Sequence, residues 1–280
     1  MLVKQSLSIL FATDFSDGSK IALKTLKSLN SKFKIKVTLY NVIASYWGNW
    51  LNSGANEKEA LQRLKEWKKK YSKTVNITKV DTSIGNPAEN IVTAAERAKP
   101  DMIFLGGKVI GATERYKTSL VPESVVRYSK CSVWVCQKEK IKTIVCGIDG
   151  SKSSIKSFKF ALALAKKFSA KLKIIHVLPT LSPEFGMTEK NIKTEEKKLK
   201  DKQIKKINKL IKVDGLPKSK YELLFKWGNA SNVLLDYVDD YNTDLIVIGA
   251  TGNSLLKSML LGSTAERILR HSPCSLLIVR

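Results

Sequence analysis

Residues 244–252 read DLIVIGATG, and nine residues separate Gly252 from Gly262-Ser263-Thr264. The apolar start of this stretch predicts a buried parallel strand, and its glycines predict a loop in which a ligand can approach the backbone closely. A helix that begins near Ser263 would direct unpaired N–H groups and the positive end of its dipole toward that loop. The stretch therefore predicts an anion site of the kind that holds phosphate groups.

The chain repeats itself. Shifted by 143 residues, 101–106 (DMIFLG) fall on 244–249 (DLIVIG) without a gap, and Arg127 falls on Arg270. Near the start of each copy the shift is 135, so the second copy carries eight extra residues. This pattern indicates a tandem duplication, and we expect two domains of ordinary size, residues 1–138 and 141–280.

Each repeat alternates short apolar runs with helical periods. In the second copy the expected strands are 143–148, 172–177, 220–225, 244–248 and 275–279, and the expected helices are 153–168, 189–212, 231–241 and 264–270. The pattern predicts an α/β fold with two tandem, doubly wound, five-stranded parallel sheets. Ligands of such sheets bind at the carboxyl ends of the strands, where Asp149, Gly150, His176, Val177 and Gly249 are expected.

Composition favours a soluble protein without a membrane span, since 43% of residues are hydrophobic and no run approaches the roughly 20 apolar residues of a membrane helix. The first predicted strand follows Met1 so closely that we expect no signal peptide and a cytoplasmic location. The four cysteines, Cys131, Cys136, Cys146 and Cys274, lack metal-ligand or Cys-x-x-Cys spacing. They are interpreted as small buried apolar residues.

The formal net charge is +24, with +12 in residues 1–140 and +12 in residues 141–280. Most of the excess lies on lysines at helical positions, without interleaved arginines and aromatic residues. This indicates a solvated lysine-rich surface and no specific nucleic-acid partner. Attraction to polyanions or acidic membranes is the weaker alternative.

Residues 244–252 together with 262–274 (GSTAERILRHSPC) resemble the C-terminal signature of the universal stress protein family. Ile148-Asp149-Gly150-Ser151 resembles that family's opening strand and turn, and the resemblance covers essentially both repeats. The spacing Gly-x2-Gly-x9-Gly-Ser is the family's ATP-binding form. The resemblance implies a Rossmann-like, adenine nucleotide alpha hydrolase-like fold and ATP, or another adenine nucleotide, as ligand, with Mg²⁺ accompanying the triphosphate.

By this resemblance, Ile148, Asp149 and Gly150 lie beside the nucleoside, and backbone groups at Val177 hold the adenine edge. Gly249 lets the ribose or α-phosphate approach the strand, and Gly252 keeps the loop free of a Cβ clash. The N–H and hydroxyl groups of Gly262, Ser263 and Thr264 meet the β- and γ-phosphates.

The same residues also allow readings without a ligand. Ser263 and Glu266 have the spacing of a capping box, and Asp149 could cap the following helix or organise the Gly150 turn. His176 fits a strand-end histidine bonded to backbone, and His271 fits turn structure. No catalytic residue and no protein metal ligand is predicted.

The first repeat departs from the motif. Gly106 is kept, but Val109 stands at the second glycine and Ser119-Leu120-Val121 replaces Gly262-Ser263-Thr264, with Pro122 following. Asp14 is kept, and Phe15 replaces Gly150. We expect that the first repeat does not bind ATP.

Three classes of function stay open: a nucleotide-binding stress or regulatory protein, a slow ATPase or phosphotransferase, and a ligand-free interaction scaffold. The apolar last strands, 132–135 and 275–279, would be a liability if left unpaired. We expect them to pair within the chain as an intramolecular pseudo-dimer, as the family's dimerisation through last strands implies. A further homodimer is left open.

Overall fold

The structure is a computed structural model of the chain. It describes residues 6–44, 53–107, 120–181, 189–213, 215–252 and 261–280. The strands are β1 Leu7–Ala12, β2 Ile35–Ala44, β3 Ile77–Gly85, β4 Met102–Gly106, β5 Ser132–Cys136, β6 Thr143–Ile148, β7 Lys171–Leu178, β8 Tyr221–Trp227, β9 Leu245–Gly249 and β10 Ser275–Val279. The helices are α1 Asp17–Asn30, α2 Ser53–Tyr71, α3 Pro87–Ala98, α4 Leu120–Tyr128, α5 Lys152–Phe168, α6 Glu189–Leu210, α7 Ala230–Asp240 and α8 Ser263–His271.

The strands form one sheet in the order β3-β2-β1-β4-β5-β10-β9-β6-β7-β8. Within each repeat the five strands are parallel, so the predicted fold class is confirmed. The last strands β5 and β10 pair antiparallel, with Val133 opposite Ile278 and Val135 opposite Leu276. In the first repeat the strands β1 to β3 follow one another outward on one side, and β4 and β5 lie on the other side of β1. The second repeat is arranged in the same way around β6. This is the doubly wound arrangement whose carboxyl edge binds ligands.

Helices cover both faces of the sheet, because successive strand residues point to opposite sides. One buried cluster contains Ile9 and Phe11 of β1 and packs against α1, α2, α5 and α6. The other contains Leu10 and Ala12 and packs against α3, α4, α7 and α8. Each cluster runs through both repeats, so the apolar cores of the two repeats are continuous.

The elements expected in the second copy are present, with small shifts at their ends. Strand β6 has the expected bounds, whereas the helix expected over 189–212 ends at Leu210 and the strand expected over 220–225 extends to Trp227. Among the described helices, none combines the length and apolar composition needed to cross a bilayer.

Side chains on α4 and α8 join the two repeats through ion pairs. Arg127 Nη2 lies 2.7 Å from Glu266 Oε1, and Arg270 Nη2 lies 2.8 Å from Glu123 Oε1. The 143-residue shift carries Arg127 onto Arg270 and Glu123 onto Glu266, so the two contacts are equivalent. Each pair takes its arginine from one repeat and its glutamate from the other.

The cysteines lie mostly in the interior. Cys136, Cys146 and Cys274 are buried and Cys131 is half-buried, and all four are free thiols. Burial raises the pKa of the Cys131 thiol to about 11 and that of Cys274 to about 12. These thiols therefore stay protonated near neutral pH and behave as apolar side chains.

Candidate functional site

A cavity of about 250 Å³ lies at the carboxyl ends of β6 and β9, between the start of α7 and the N-terminus of α8. Eight of the nine residues predicted around a nucleotide line it: Ile148, Asp149, Val177, Gly249, Gly252, Gly262, Ser263 and Thr264. Gly150 is not in the lining. Its φ of +82° suits a glycine in the turn after β6, and a Cβ there would lie 3.3 Å from Lys206 Cε on α6.

The structure gives Gly249 a packing role. A Cβ at Gly249 would overlap the Ser153 side chain and would lie 3.0 Å from the Ser153 carbonyl carbon at the start of α5. In the first repeat a Cβ at Gly106 would likewise overlap backbone atoms of Gly18 and Ser19. The first glycine of the motif therefore allows close contact between helix and strand, which explains why the first repeat keeps it without the rest of the motif.

The second glycine allows the loop to pass beside Asp149, because a Cβ at Gly252 would lie 2.9 Å from Asp149 Oδ2. The Asp149 carboxylate also accepts a hydrogen bond from the Ser151 N–H at 2.9 Å. This bond organises the turn after β6, as one of the interpretations without a ligand proposed. The N-cap of α5 is Ser151, whose Oγ accepts from the Ser154 N–H at 3.1 Å. Of the two ligand-free alternatives for Asp149, the structure shows the organised turn and not the helix cap.

Among the residues that the structure describes, no side chain caps the N-terminus of α8. Its N-cap is Gly262, whose N–H donates to the Ala250 carbonyl at 2.8 Å. By contrast, side chains of Ser151 and Asn229 cap α5 and α7. The first turn of α8 lines the cavity, so the uncapped helix end lies where the sequence predicted an anion.

The capping box predicted from Ser263 and Glu266 does not form. The Glu266 carboxylate instead accepts from Arg127 at 2.7 Å and from Arg270 at 3.0 Å. Two guanidinium groups, each with a full positive charge, attract the carboxylate more strongly than a neutral backbone N–H does, and they draw the carboxylate away from the helix end. Hydrogen bonding to Arg127 holds the pKa of Glu266 below its ordinary value.

His176 is a structural residue, as expected. It is buried, its Nδ1 lies 2.8 Å from the Ile148 carbonyl oxygen, and its ring packs edge-on against Phe225 with 5.7 Å between centroids. Burial lowers the pKa of this imidazole. His271 is the last residue of α8, immediately before the Ser272 C-cap.

The sequence reasoning missed the apolar walls of the cavity. Gly147, Ile175, Ala230 and Leu234 line it. Ile175 lies two positions before Val177 on the same face of β7, and Ala230 and Leu234 are four apart on one face of α7, so periodicity could have found them. A Cβ at Gly147 would lie 2.9 Å from Leu234 Cδ1, which accounts for a glycine inside a strand.

The first repeat carries a larger side chain at one position of the corresponding wall. Ala12 and Tyr40 are partners in the β1–β2 register, as Gly147 and Ile175 are in the β6–β7 register. Tyr40 is buried, and its hydroxyl oxygen lies 2.7 Å from Ser83 Oγ. A phenol thus stands where the second repeat has an isoleucine wall.

The Asp14 carboxylate of the first repeat is engaged locally. It accepts from the Ser16 N–H at 3.0 Å and from Ser19 Oγ at 2.7 Å. Burial alone would raise the pKa of Asp14, but the serine hydrogen bonds outweigh burial and hold it below its ordinary value. Phe15 adopts φ +62° where the second repeat has Gly150, and its ring packs on Trp67 with 5.1 Å between centroids.

Part of the first repeat's altered motif cannot be compared in three dimensions. Val109 and Ser119 lie outside the described residues. The expectation about their loop therefore stays a prediction.

The chain matches the model of the universal stress protein family twice, over residues 7–137 and 140–280. A universal stress protein of Methanocaldococcus jannaschii is 34% identical over 143 residues, which are 50% of this chain and 82% of that protein. A universal stress protein of Bacillus subtilis is 32% identical over 149 residues, 49% of this chain and 97% of that protein.

Among solved structures, the crystal structure of a universal stress protein from Archaeoglobus fulgidus aligns over 99% of both chains, with a TM-score of 0.72 and 22% identity, which supports the shared fold. The two family matches, one in each repeat, agree with the internal repeat and with the paired five-stranded sheets. The chain belongs to the universal stress protein family and is a tandem member of it.

Proposed function

We propose that the second repeat binds ATP or a closely related adenine nucleotide, and that the chain acts as a nucleotide-binding stress-response protein. The observation that carries this proposal is the uncapped N-terminus of α8, which lines a cavity together with the glycine loop 249–252. Backbone N–H groups and the positive end of a helix dipole favour phosphate.

The phosphates would lie against Gly262, Ser263 and Thr264, where Ser263 and Thr264 offer their backbone N–H groups and hydroxyls as donors. The Gly262 N–H already donates to the Ala250 carbonyl. A nucleoside would lie beside Asp149, whose carboxylate can accept hydrogen bonds from ribose hydroxyls. The base would pack between the apolar side chains of Ile175 and Leu234, with backbone groups at Val177 within reach of its edge.

Mg²⁺ fits this arrangement only as a companion of the nucleotide. Asp149 is the one carboxylate among the cavity-lining residues that the structure describes. Because Mg²⁺ commonly takes most of its ligands from phosphate oxygens and water, the chain would contribute at most this carboxylate.

We also propose that the first repeat serves as a scaffold. Tyr40 occupies the register position of Ile175 from the cavity wall, and the last strand β5 pairs with β10 of the second repeat. In this proposal the chain is an intramolecular pseudo-dimer in which one half binds the ligand and the other completes the sheet.

The proposal is tested by releasing small molecules from the purified protein, identifying them by mass spectrometry, and then titrating ATP with magnesium while thermal stability is measured. A ligand that binds only the folded state stabilises it, by about 2.7 kcal/mol at a concentration of 100 Kd. We expect adenine nucleotide near one per chain and a rise in Tm that saturates with ATP.

No nucleotide and no change in Tm would overturn the proposal and leave an interaction scaffold. Release of ADP and phosphate during the same incubation would identify the slow ATPase instead of a nucleotide binder without turnover.

A further inference from the structure

The two faces of the sheet carry very different charge. Helices α1, α2, α5 and α6, on one face, contain 23 lysines and arginines and eight acidic residues, a net charge of +15. Helices α3, α4, α7 and α8, on the other face, contain four arginines and seven acidic residues, a net charge of −3. The face formed by α1, α2, α5 and α6 is called the lysine face below.

The fold creates this asymmetry from a sequence whose excess charge is the same in both halves. The first two helices of one repeat pack on the same face of the sheet as the first two helices of the other repeat. This is because the antiparallel β5–β10 contact continues one sheet through both repeats. Four lysine-rich helices therefore lie together, although α2 and α6 are more than a hundred residues apart in sequence.

The basic side chains of the lysine face are predominantly exposed. In α6, for example, Lys193, Lys200, Lys202 and Lys205 are all exposed. Within the four helices of this face every lysine or arginine except Arg63 is a lysine. Within α3, α4, α7 and α8 every one is an arginine, and Arg127 and Arg270 are engaged by Glu123 and Glu266. Lys20, Lys24 and Lys198 pair with acidic side chains, but the net charge of +15 leaves most of the lysine charge available to an external anion.

We propose that the lysine face binds the surface of an acidic lipid membrane. The lysines cover a two-dimensional area beneath ten strands, about 45 Å across at the usual strand spacing, and do not form a single groove along which a nucleic-acid strand could run. Lysine acts as a hydrated point charge suited to non-specific attraction, whereas bidentate recognition of nucleic acids favours arginine. Clusters of lysines on exposed helices are typical of proteins that adsorb to anionic lipids.

The position of the cavity is compatible with this orientation. Ser154 at the start of α5 lines the cavity from the lysine face, whereas Ala230 and Leu234 of α7 and the first turn of α8 line it from the opposite face of the sheet. A chain that lies on a membrane through the lysine face therefore keeps the cavity open to solvent. The inference does not depend on which ligand the cavity binds.

The test is co-sedimentation of the full chain with vesicles of phosphatidylcholine alone and with vesicles containing 30% phosphatidylglycerol, at about 0.1 M and about 0.5 M salt. We expect binding to the acidic vesicles only, lost at the higher salt concentration. The variant Lys200→Glu with Lys202→Glu should lower the partition coefficient about tenfold or more, because each lysine near the surface contributes to the attraction.

The matched control is Arg97→Glu with Arg267→Glu, which changes the net charge by the same amount on exposed residues of the opposite face. This variant should bind acidic vesicles like the unchanged chain, and thermal unfolding of both variants checks that they are folded. Equal loss in both would mean that only net charge matters and would overturn the proposal.

Failure to bind acidic vesicles would overturn it as well. So would transfer of the bound chain to duplex DNA added at an equal phosphate concentration, since that outcome would identify nucleic acid as the preferred partner.

Discussion

Arg127 on α4 and Glu266 on α8 are joined by a hydrogen bond of 2.7 Å between Nη2 and Oε1, across the boundary between the two repeats. The same glutamate would have capped α8 had the predicted capping box formed. One contact therefore links the repeats and also leaves the helix end at the cavity without a side-chain cap. It connects the geometry of the candidate phosphate site to the interface between the repeats.

The contribution of this contact to stability can be measured with a double-mutant cycle of Arg127→Ala and Glu266→Ala. Their side chains are 28% and 31% exposed, and both belong to a network with Glu123 and Arg270. We expect a coupling free energy of about 0.5–1 kcal/mol, at the upper end for surface pairs. Urea unfolding at low salt measures it, and single-variant effects that simply add would contradict it.

Acidification should destabilise the protein partly through His176. Burial is the largest influence on this imidazole and lowers its pKa, with Lys206 acting in the same direction and the Ile148 carbonyl and Asp149 opposing it. The unfolded chain therefore binds a proton near pH 6.5 while the folded chain does not, so stability falls as the pH drops through that value.

We expect His176→Gln to show a smaller loss of Tm than the unchanged chain between pH 7.5 and 5.5. Thermal unfolding across this range measures the difference. Parallel curves for the two proteins would mean that His176 titrates alike in the folded and unfolded states.

Gly249 and Gly262 should respond differently to alanine. A Cβ at Gly249 would overlap Ser153, so Gly249→Ala should cost about 1–3 kcal/mol of stability. A Cβ at Gly262 would meet nothing closer than the Ala250 carbonyl oxygen at 3.4 Å, so Gly262→Ala should fold normally. Chemical denaturation of both variants checks this, and equal stability losses would show that the packing role assigned to Gly249 is wrong.

Apolar side chains at positions 262 and 263 should remove nucleotide binding. Gly262→Val with Ser263→Leu adds side chains at the uncapped end of α8 and deletes a hydroxyl that lines the cavity. We expect an intact fold with ATP affinity reduced at least about tenfold, roughly the loss of one or two hydrogen bonds to a charged group. Isothermal titration measures the affinity, and an unchanged value would place the nucleotide elsewhere.

Sequence pattern predicted the fold well, because apolar periodicity and turn residues are local signals. Strand β6 has its predicted bounds, and the glycine spacing identified most of one cavity wall. The local sequence pattern failed where a residue distant in sequence binds a side chain that the pattern assigns to a local contact. The capping box at Ser263 is a correct local motif, but Glu266 is bound by Arg127, 139 residues away.

Two other features were also beyond local pattern. The position of Tyr40, which corresponds to Ile175 in the cavity wall, depends on the register between β1 and β2. The concentration of lysines on one face depends on how the two repeats join, and the charge of either half of the sequence gives no sign of it.

The antiparallel contact between β5 and β10 also limits how two copies of the chain could associate. It leaves β3 and β8 as the outer strands of the described sheet. Both carry charged side chains, including Lys79 and Asp81 on β3 and Glu222 and Lys226 on β8, which is how natural sheets discourage edge-to-edge growth. Because β5 and β10 already pair with each other within the chain, neither is open to pair with a second copy. Assembly beyond one chain would therefore have to proceed through helices and not through extension of the sheet.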